Sequence, residues 1–281
     1  MTSIALAFTS RAASGYPLDI KGEQQAQSIT LQVTALLLAL LIPTALGALF
    51  DERLTHGVNG WLKPMKFEVS LAVHFGTLAL LLGLIAPAVR AGRLIRWSML
   101  AAAVLAVLEV AYIMVQAARA RASHFNDTTR FEEAAYALMG VGAAGIVILT
   151  FIAGLMLWRH PRTDVTPAMR LAAAGGLMFS GLATLLIAGY MSQTGAHWVG
   201  TPSDATGLPL VGWSTTGGDL RAPHFFATHA AQAVPLFALA WERLRPDSAR
   251  LPAAAFLTLY GAFTIAVFVQ ALMGLPFLPW R

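Results

Sequence analysis

The chain has no cysteine in its 281 residues. That absence removes disulfides, thiolate metal sites and cysteine nucleophiles, and it leaves His, Asp, Glu, Met and Tyr as the possible metal ligands. Charge is scarce too. Only 12% of residues are charged and 57% are hydrophobic, against about 25% charged in a typical soluble domain. With a mean hydropathy of +0.65, this is the makeup of a polytopic membrane protein. The net charge of +5 would suggest nucleic acid in a soluble chain. Here the arginines lie between apolar segments and form no basic face, so nucleic acid is not an expected partner. Several catalytic signatures are also missing: no HxxxH or HxxHH cluster of the membrane di-iron enzymes, no HExxH and no GxSxG. No repeat of about 20 to 50 residues stands out, nor an inverted pair of broken helices of the transporter kind. The first apolar patch, "SIALAF", is too short for a signal peptide and has no basic residue before it, so the N-terminus is expected to be retained.

What is present is a series of long apolar runs. Seven segments reach the roughly 20 residues needed to cross about 30 Å of hydrocarbon: 29–50, 65–87, 98–118, 131–157, 168–190, 223–242 and 252–275. They are continuous and lack inside/outside alternation, so helices are expected rather than a barrel. The expected architecture is all-α, a single seven-helix bundle (29–281) preceded by an N-terminal arm (1–28). Seven spans put the N-terminus and the connections after helices two, four and six on one side. That side carries eleven cations and five acids, including the groups Arg90/Arg93/Arg96 and Arg243/Arg245/Arg250; the other carries eight and nine. The positive-inside rule then predicts the N-terminus inside and the C-terminus outside. The outer connections are longer, and the one at about 191–222 is expected to be a lid, because Trp198, Trp213 and Leu208 to Val211 give it material for packing.

Polar groups recur at helical spacing within these spans. Lys66, Ser70, His74 and Thr77 share one face of the second; Glu109, Tyr112 and Gln116 share one face of the third; His224, Thr228 and Gln232 share one face of the sixth. His229 lies roughly 140° around from His224, so those two cannot chelate one ion as an i, i+4 pair would. An ionisable group deep in a span costs about 2.5–3.5 kcal/mol and normally faces the bundle interior with a partner. His74, Glu109 and His229 come from three helices at similar expected depth in the outer half, so convergence is expected. A lone intramembrane histidine can also be a simple helix-to-helix hydrogen bond, and Glu109 can pair with Lys66 or Arg119. Lys63, Lys66, Arg119, Arg121 and Arg221 ring the outer mouth, as snorkelling cations or as an anion trap. Glu132 fits a capping box with Thr129.

The segments "GVNGWLKPMKF" (57–67), "SHFN" (123–126) and "GLPLVGWSTTGGDLRAPHFFATHAAQ" (207–232) resemble those of a group of uncharacterised bacterial seven-helix integral membrane proteins. The likeness runs from the second helix onward and implies the fold and a bacterial plasma-membrane setting, with no activity attached. Microbial rhodopsins also have seven helices, but the lysines here are Lys21, Lys63 and Lys66, none of them in the seventh.

Three functions are weighed. In the first, the chain is a membrane-embedded redox protein binding haem b or a transition metal (Cu, Fe or Zn) in the outer half. His74 and His229 are then the main ligands, His224 and His124 the further candidates, and Glu109, Tyr112 and Lys66 the catalytic groups. Arg119, Arg121, Arg221, Gln232 and Trp213 would bind the cofactor, and a quinone or other lipid-soluble substrate would enter from the bilayer. In the second, the stripes line the titratable cavity of a channel, transporter or sensor. The third is a structural or assembly subunit, including a homo-oligomer, using small residues such as Gly175, Gly176 and Gly181 for close helix contact.

Overall fold

The computed structural model describes residues 20–55, 57–200, 207–209, 211–245 and 248–278; at residues 20–23 it describes the backbone alone. Most of the expected N-terminal arm, His56, and residues 201–206 and 210 of the expected lid lie outside the described residues.

Among the described residues are seven helices of 21 to 31 residues: α1 (Ile20–Phe50), α2 (Leu62–Leu82), α4 (Arg93–Ala118), α5 (Arg130–Arg159), α6 (Pro167–Thr194), α7 (Arg221–Leu244) and α8 (Arg250–Leu272). A single turn, α3 (Pro87–Arg90), follows α2. Four two-residue strands form two small antiparallel hairpin sheets, β1 (Leu54–Thr55) with β2 (Val58–Asn59) and β3 (Trp198–Val199) with β4 (Gly218–Asp219). Six of the long helices, α1, α2, α4, α5, α6 and α8, are long and apolar enough to cross a membrane. The seventh, α7, is as long, but Arg221, His224, His229, Gln232 and Glu242 dilute its apolar face.

Helix ends depart from the expected spans where local chemistry is stronger than hydropathy. α1 starts at Ile20 rather than near 29, so part of the supposed arm is helix. α2 begins at Leu62 and stops at Leu82, five residues before the expected end, because Gly83 to Ala86 turn and Pro87 opens α3. Thr129 caps α5 by accepting the Glu132 N–H, and Thr166 caps α6 by accepting the Met169 N–H at 3.0 Å, with Pro167 at the first helical position.

The connections alternate between two ends of the bundle. At one end, the lid end, the α1–α2, α4–α5 and α6–α7 links meet, and the Arg53 guanidinium reaches Ala118 O at 2.8 Å. At the other, the arginine end, the α2–α4 link pairs with the α5–α6 link through Ile85 and Pro161, and Thr166 bonds Glu242.

The helices pack as two tight groups. α1, α2 and α4 form one; α6, α7 and α8 form the other; α5 joins them by packing on α4 and α6. Glycine permits the closest approaches: a Cβ on Gly176 would lie 2.8 Å from Ala230 O of α7, and one on Gly181 2.7 Å from Val147 O of α5. α2 meets α5 and α7 only sparsely. This leaves a seam down the middle, bounded by α2 on one side and α5 and α7 on the other.

Candidate functional site

The described residues of the segment expected to be a lid are folded and anchored. Leu208, Trp213, Ala222 and Val267 form a buried cluster with Phe226 and Phe277 against it, and Trp213 meets Phe225, Phe226 and Phe277 edge-on. Asp219, 1% exposed, accepts the Ser214 N–H at 2.8 Å, the Arg221 N–H at 3.0 Å and the Arg221 guanidinium at 2.7 and 2.9 Å. Arg221 also donates to Gly212 O at 2.7 Å, and Lys66 Nζ donates to Val211 O at 3.3 Å, tying the segment to α7 and α2. Trp213, Arg221 and Lys66 therefore build the lid.

Arg119, Arg121 and Tyr112 belong to a second assembly, centred on Glu132. Its side chain, 0% exposed, is bonded by Arg121 at 2.7 Å and by Thr128 at 2.6 Å, with Arg119 at 3.8 Å. Arg119 donates to Gln116 Oε1 at 2.8 Å, and Gln116 donates to the Tyr112 hydroxyl at 3.1 Å. Of the expected capping box the Thr129 half is here, and the Glu132 carboxylate takes the Thr128 and Thr129 hydroxyls, making a clasp between α4 and the start of α5.

Between these assemblies lies the top of the seam. Glu109, 7% exposed, interacts with the charge of Lys63 rather than with Lys66 or Arg119 as expected, and Lys63 also meets the charge of Arg221. His124, in the α4–α5 link, packs against Phe67 and Tyr136 with ring centroids at 5.3 and 5.9 Å and bonds Ser123 at 3.1 Å. Burial, and then the positive charge of Lys63, holds its imidazole neutral well below the ordinary histidine range. His224 is half-buried, and its Nδ1 is enclosed without a hydrogen-bond partner.

Deeper in the seam two hydrogen-bonded links cross between helices. His74 Nε2 meets Thr150 Oγ1 of α5 at 2.9 Å. Gln232 of α7 donates to Thr77 Oγ1 of α2 at 3.0 Å, and its carbonyl oxygen lies 3.2 Å from His229 Nδ1. Proton counting fixes the ring states. Thr150 gives its one hydroxyl proton to Ile146 O at 2.9 Å, and Thr77 gives its own to Val73 O at 2.7 Å. Each threonine therefore offers its neighbour only a lone pair. With the Thr150 proton on Ile146 O, His74 donates through Nε2–H and Nδ1 is its other ring nitrogen. Gln232 must turn its NH₂ to Thr77 and its carbonyl to His229, so His229 donates through Nδ1–H and keeps Nε2 free.

The structure thus brings His74 and His229 to one seam through Thr77 and Gln232, with Glu109 and Lys63 toward its mouth. His74 lies twelve residues after Leu62 and eight before Leu82, about 18 Å from the lid end at 1.5 Å per residue. This is past the middle of α2, deeper than the outer half in which it was expected. Among the described residues, no three His, Asp or Glu side chains group so as to hold a metal ion.

Sequence reasoning missed Glu68. It is 0% exposed and bonded to Thr44 of α1 at 2.6 Å. Its one signal was an acid within an apolar span; its partner lies 24 residues away on another helix.

No family model, curated protein or solved structure matches this chain. The functional reading therefore rests on the geometry of the site.

Proposed function

We propose that this chain is a seven-span protein of the bacterial plasma membrane, N-terminus inside, whose central seam is a polar binding cavity opening toward the lid end. On this reading it serves as a transporter or sensor for a small polar solute or for protons. The observation that carries it is the series of polar donors and acceptors, His229–Gln232–Thr77 and His74–Thr150, where α2 packs sparsely on α5 and α7. It reaches to Thr77, five residues before the arginine end of α2. An imidazole bonded through one ring nitrogen has a second ring nitrogen to offer a polar ligand. Counting α7 as a span rests on the same point, since its Gln232 bonds Thr77 of α2 and His229 bonds Gln232.

A second reading is favoured by a specific observation: each histidine keeps one free ring nitrogen while its N–H is held by a neighbour. Metal-ligating histidines are usually held in this way. Two imidazoles are too few for a protein-only metal site, yet they are the full axial complement of a haem, which makes haem b the better fit of the expected cofactors. The protein would then be a membrane oxidoreductase, with a quinone or similar lipid-soluble partner entering the seam from the bilayer. Against it stands the commitment of His74 Nε2 to Thr150: ligation through Nδ1, beside the main chain, crowds a macrocycle.

Purification in detergent without chelator separates the two. A colourless sample free of stoichiometric metal, with solute or proton uptake into vesicles abolished in His74→Ala and His229→Ala but kept in His160→Ala, supports the first. A haem absorbance band lost in the same two variants and kept in His160→Ala supports the second. Equal behaviour of all three variants rejects both.

A further inference from the structure

A different polar pair sits outside the seam, between α1 and α2. Thr44 lies six residues before Phe50, and Glu68 lies six after Leu62. Both are therefore about 9 Å from the lid end of their helices, counting 1.5 Å per residue. Both side chains are 0% exposed. Glu68 Oε1 is 2.6 Å from Thr44 Oγ1, and Glu68 Oε2 is enclosed with no hydrogen-bond partner.

The hydroxyl of Thr44 also lies 2.9 Å from Leu40 O. A hydroxyl carries one proton, and a carbonyl has none to give. If the proton went to Glu68, the Leu40 carbonyl would face a lone pair at hydrogen-bond distance. Thr77, Thr150, Thr228 and Thr264 all make the same bond to the carbonyl four residues back. With the Thr44 proton on Leu40 O in this same way, the proton of the Thr44–Glu68 contact comes from Glu68. An acid in this state also explains the orphan oxygen: an unpartnered carbonyl oxygen is tolerable here, whereas half of an unpaired carboxylate is not.

We propose that Glu68 is a resident proton-binding site, an uncharged carboxylic acid that bridges α2 to α1 by donating to Thr44. Among the described residues no compensating charge acts on it. From Gln24 to Phe50, α1 has no titratable side chain. On α4, Glu109 engages Lys63 and Tyr112 engages Gln116, while Arg93 and Arg96 lie at the arginine end. On α2 itself, Lys66 reaches to Val211 and His74 to Thr150. On α5, Arg130, Glu133 and Arg159 sit at the helix ends and Glu132 is held by its arginines; on α7, Arg221 is held by Asp219 and His229 by Gln232, and His224, Glu242 and Arg243 have no interaction with Glu68. Thr44 is the sole polar partner of Glu68 among the described residues. When the proton leaves, Thr44 must abandon either Leu40 O or the new carboxylate, so the α1–α2 contact is proton-dependent.

Infrared difference spectroscopy on the purified full chain tests this directly, because acid and carboxylate absorb in separate bands. Wild type minus Glu68→Gln at neutral pH should contain a protonated-acid carbonyl band and no carboxylate pair. Glutamine can donate to Thr44 as the acid does, so this variant should fold. Thr44→Val provides an independent check by removing the acceptor; it should shift that same band while leaving it present. A carboxylate pair in place of the acid band overturns the proposal, as does an acid band insensitive to Thr44. Conversion to carboxylate on adding sodium at fixed pH overturns it as well, in favour of a cation site made by Glu68, Thr44 and Leu40 O.

Discussion

The rim of the bundle and its central seam treat polar groups in opposite ways. At the rim, the two buried acids are charged and saturated: Asp219 takes two backbone N–H groups and a bidentate arginine, and Glu132 takes Arg121, Thr128 and Thr129. Below the Glu109–Lys63 pair the seam holds His74, Thr77, Gln232 and His229, thinly partnered, with His74 and His229 each bonded through one ring nitrogen. Buried charge is retained only where partners cancel it, and such groups have no capacity left for a ligand. The rim arginines that look like an anion trap in the sequence have Glu132 and Asp219 as partners, whereas the seam residues below them are joined by single hydrogen bonds.

The largest effect that sharpens this contrast belongs to the rim. Asp219→Ala should cost about 3 kcal/mol, the lower end for breaking a buried pair because Arg221 is partly exposed. It should also open the lid segment to limited proteolysis. A melt and digestion pattern like wild type would break the comparison by making the rim dispensable.

In the seam, Gln232→Leu should cost only about 1 kcal/mol, the usual worth of an intramembrane hydrogen bond. It should nevertheless abolish solute uptake or cofactor binding, since His229 would lose the partner that fixes its ring. An equal loss of stability in the two variants would erase the distinction. Thr150→Val should act in the same way on His74, with a stability change of similar size.

The smallest effect concerns His124, which stands between the two regions. Its neutral form is favoured by burial, so its folded value lies below the unfolded one, near 6.5. Between those two values the unfolded chain binds the extra proton, so stability should fall as pH drops below about 6.5 and be regained as pH rises. His124→Phe should flatten that acid limb, as measured by amide exchange in the α4–α5 link. An unchanged pH profile would remove His124 from the account.

Much of the fold was legible in the sequence. Apolar runs long enough to cross lipid announce themselves locally, and six of the long helices follow from length and hydropathy alone. α7 was expected as a seventh span on the same grounds; it is a helix, but its polar residues leave it outside the six apolar enough to cross. Convergence of His74 and His229 was expected from depth and helix count. The depth of His74 was misjudged because α2 begins at Leu62, before the apolar run, and ends at the turn at Gly83. The partners of the rim arginines were hidden, since Arg121 could as well have met Glu109 as Glu132. Glu68 was hidden for the same reason: nothing near it in the chain foretells Thr44.

The sequence by itself determined that this protein belongs in a bilayer, where its helices lie, and which few polar groups must be sheltered. Those follow from local quantities, the apolarity of a window and the capping chemistry at its ends. Only the tertiary structure decided which polar groups cancel one another and which stay available, because a hydroxyl has a single proton to give. Where that proton goes depends on neighbours from other helices brought within 3 Å, so the states of His74, His229 and Glu68 are properties of packing.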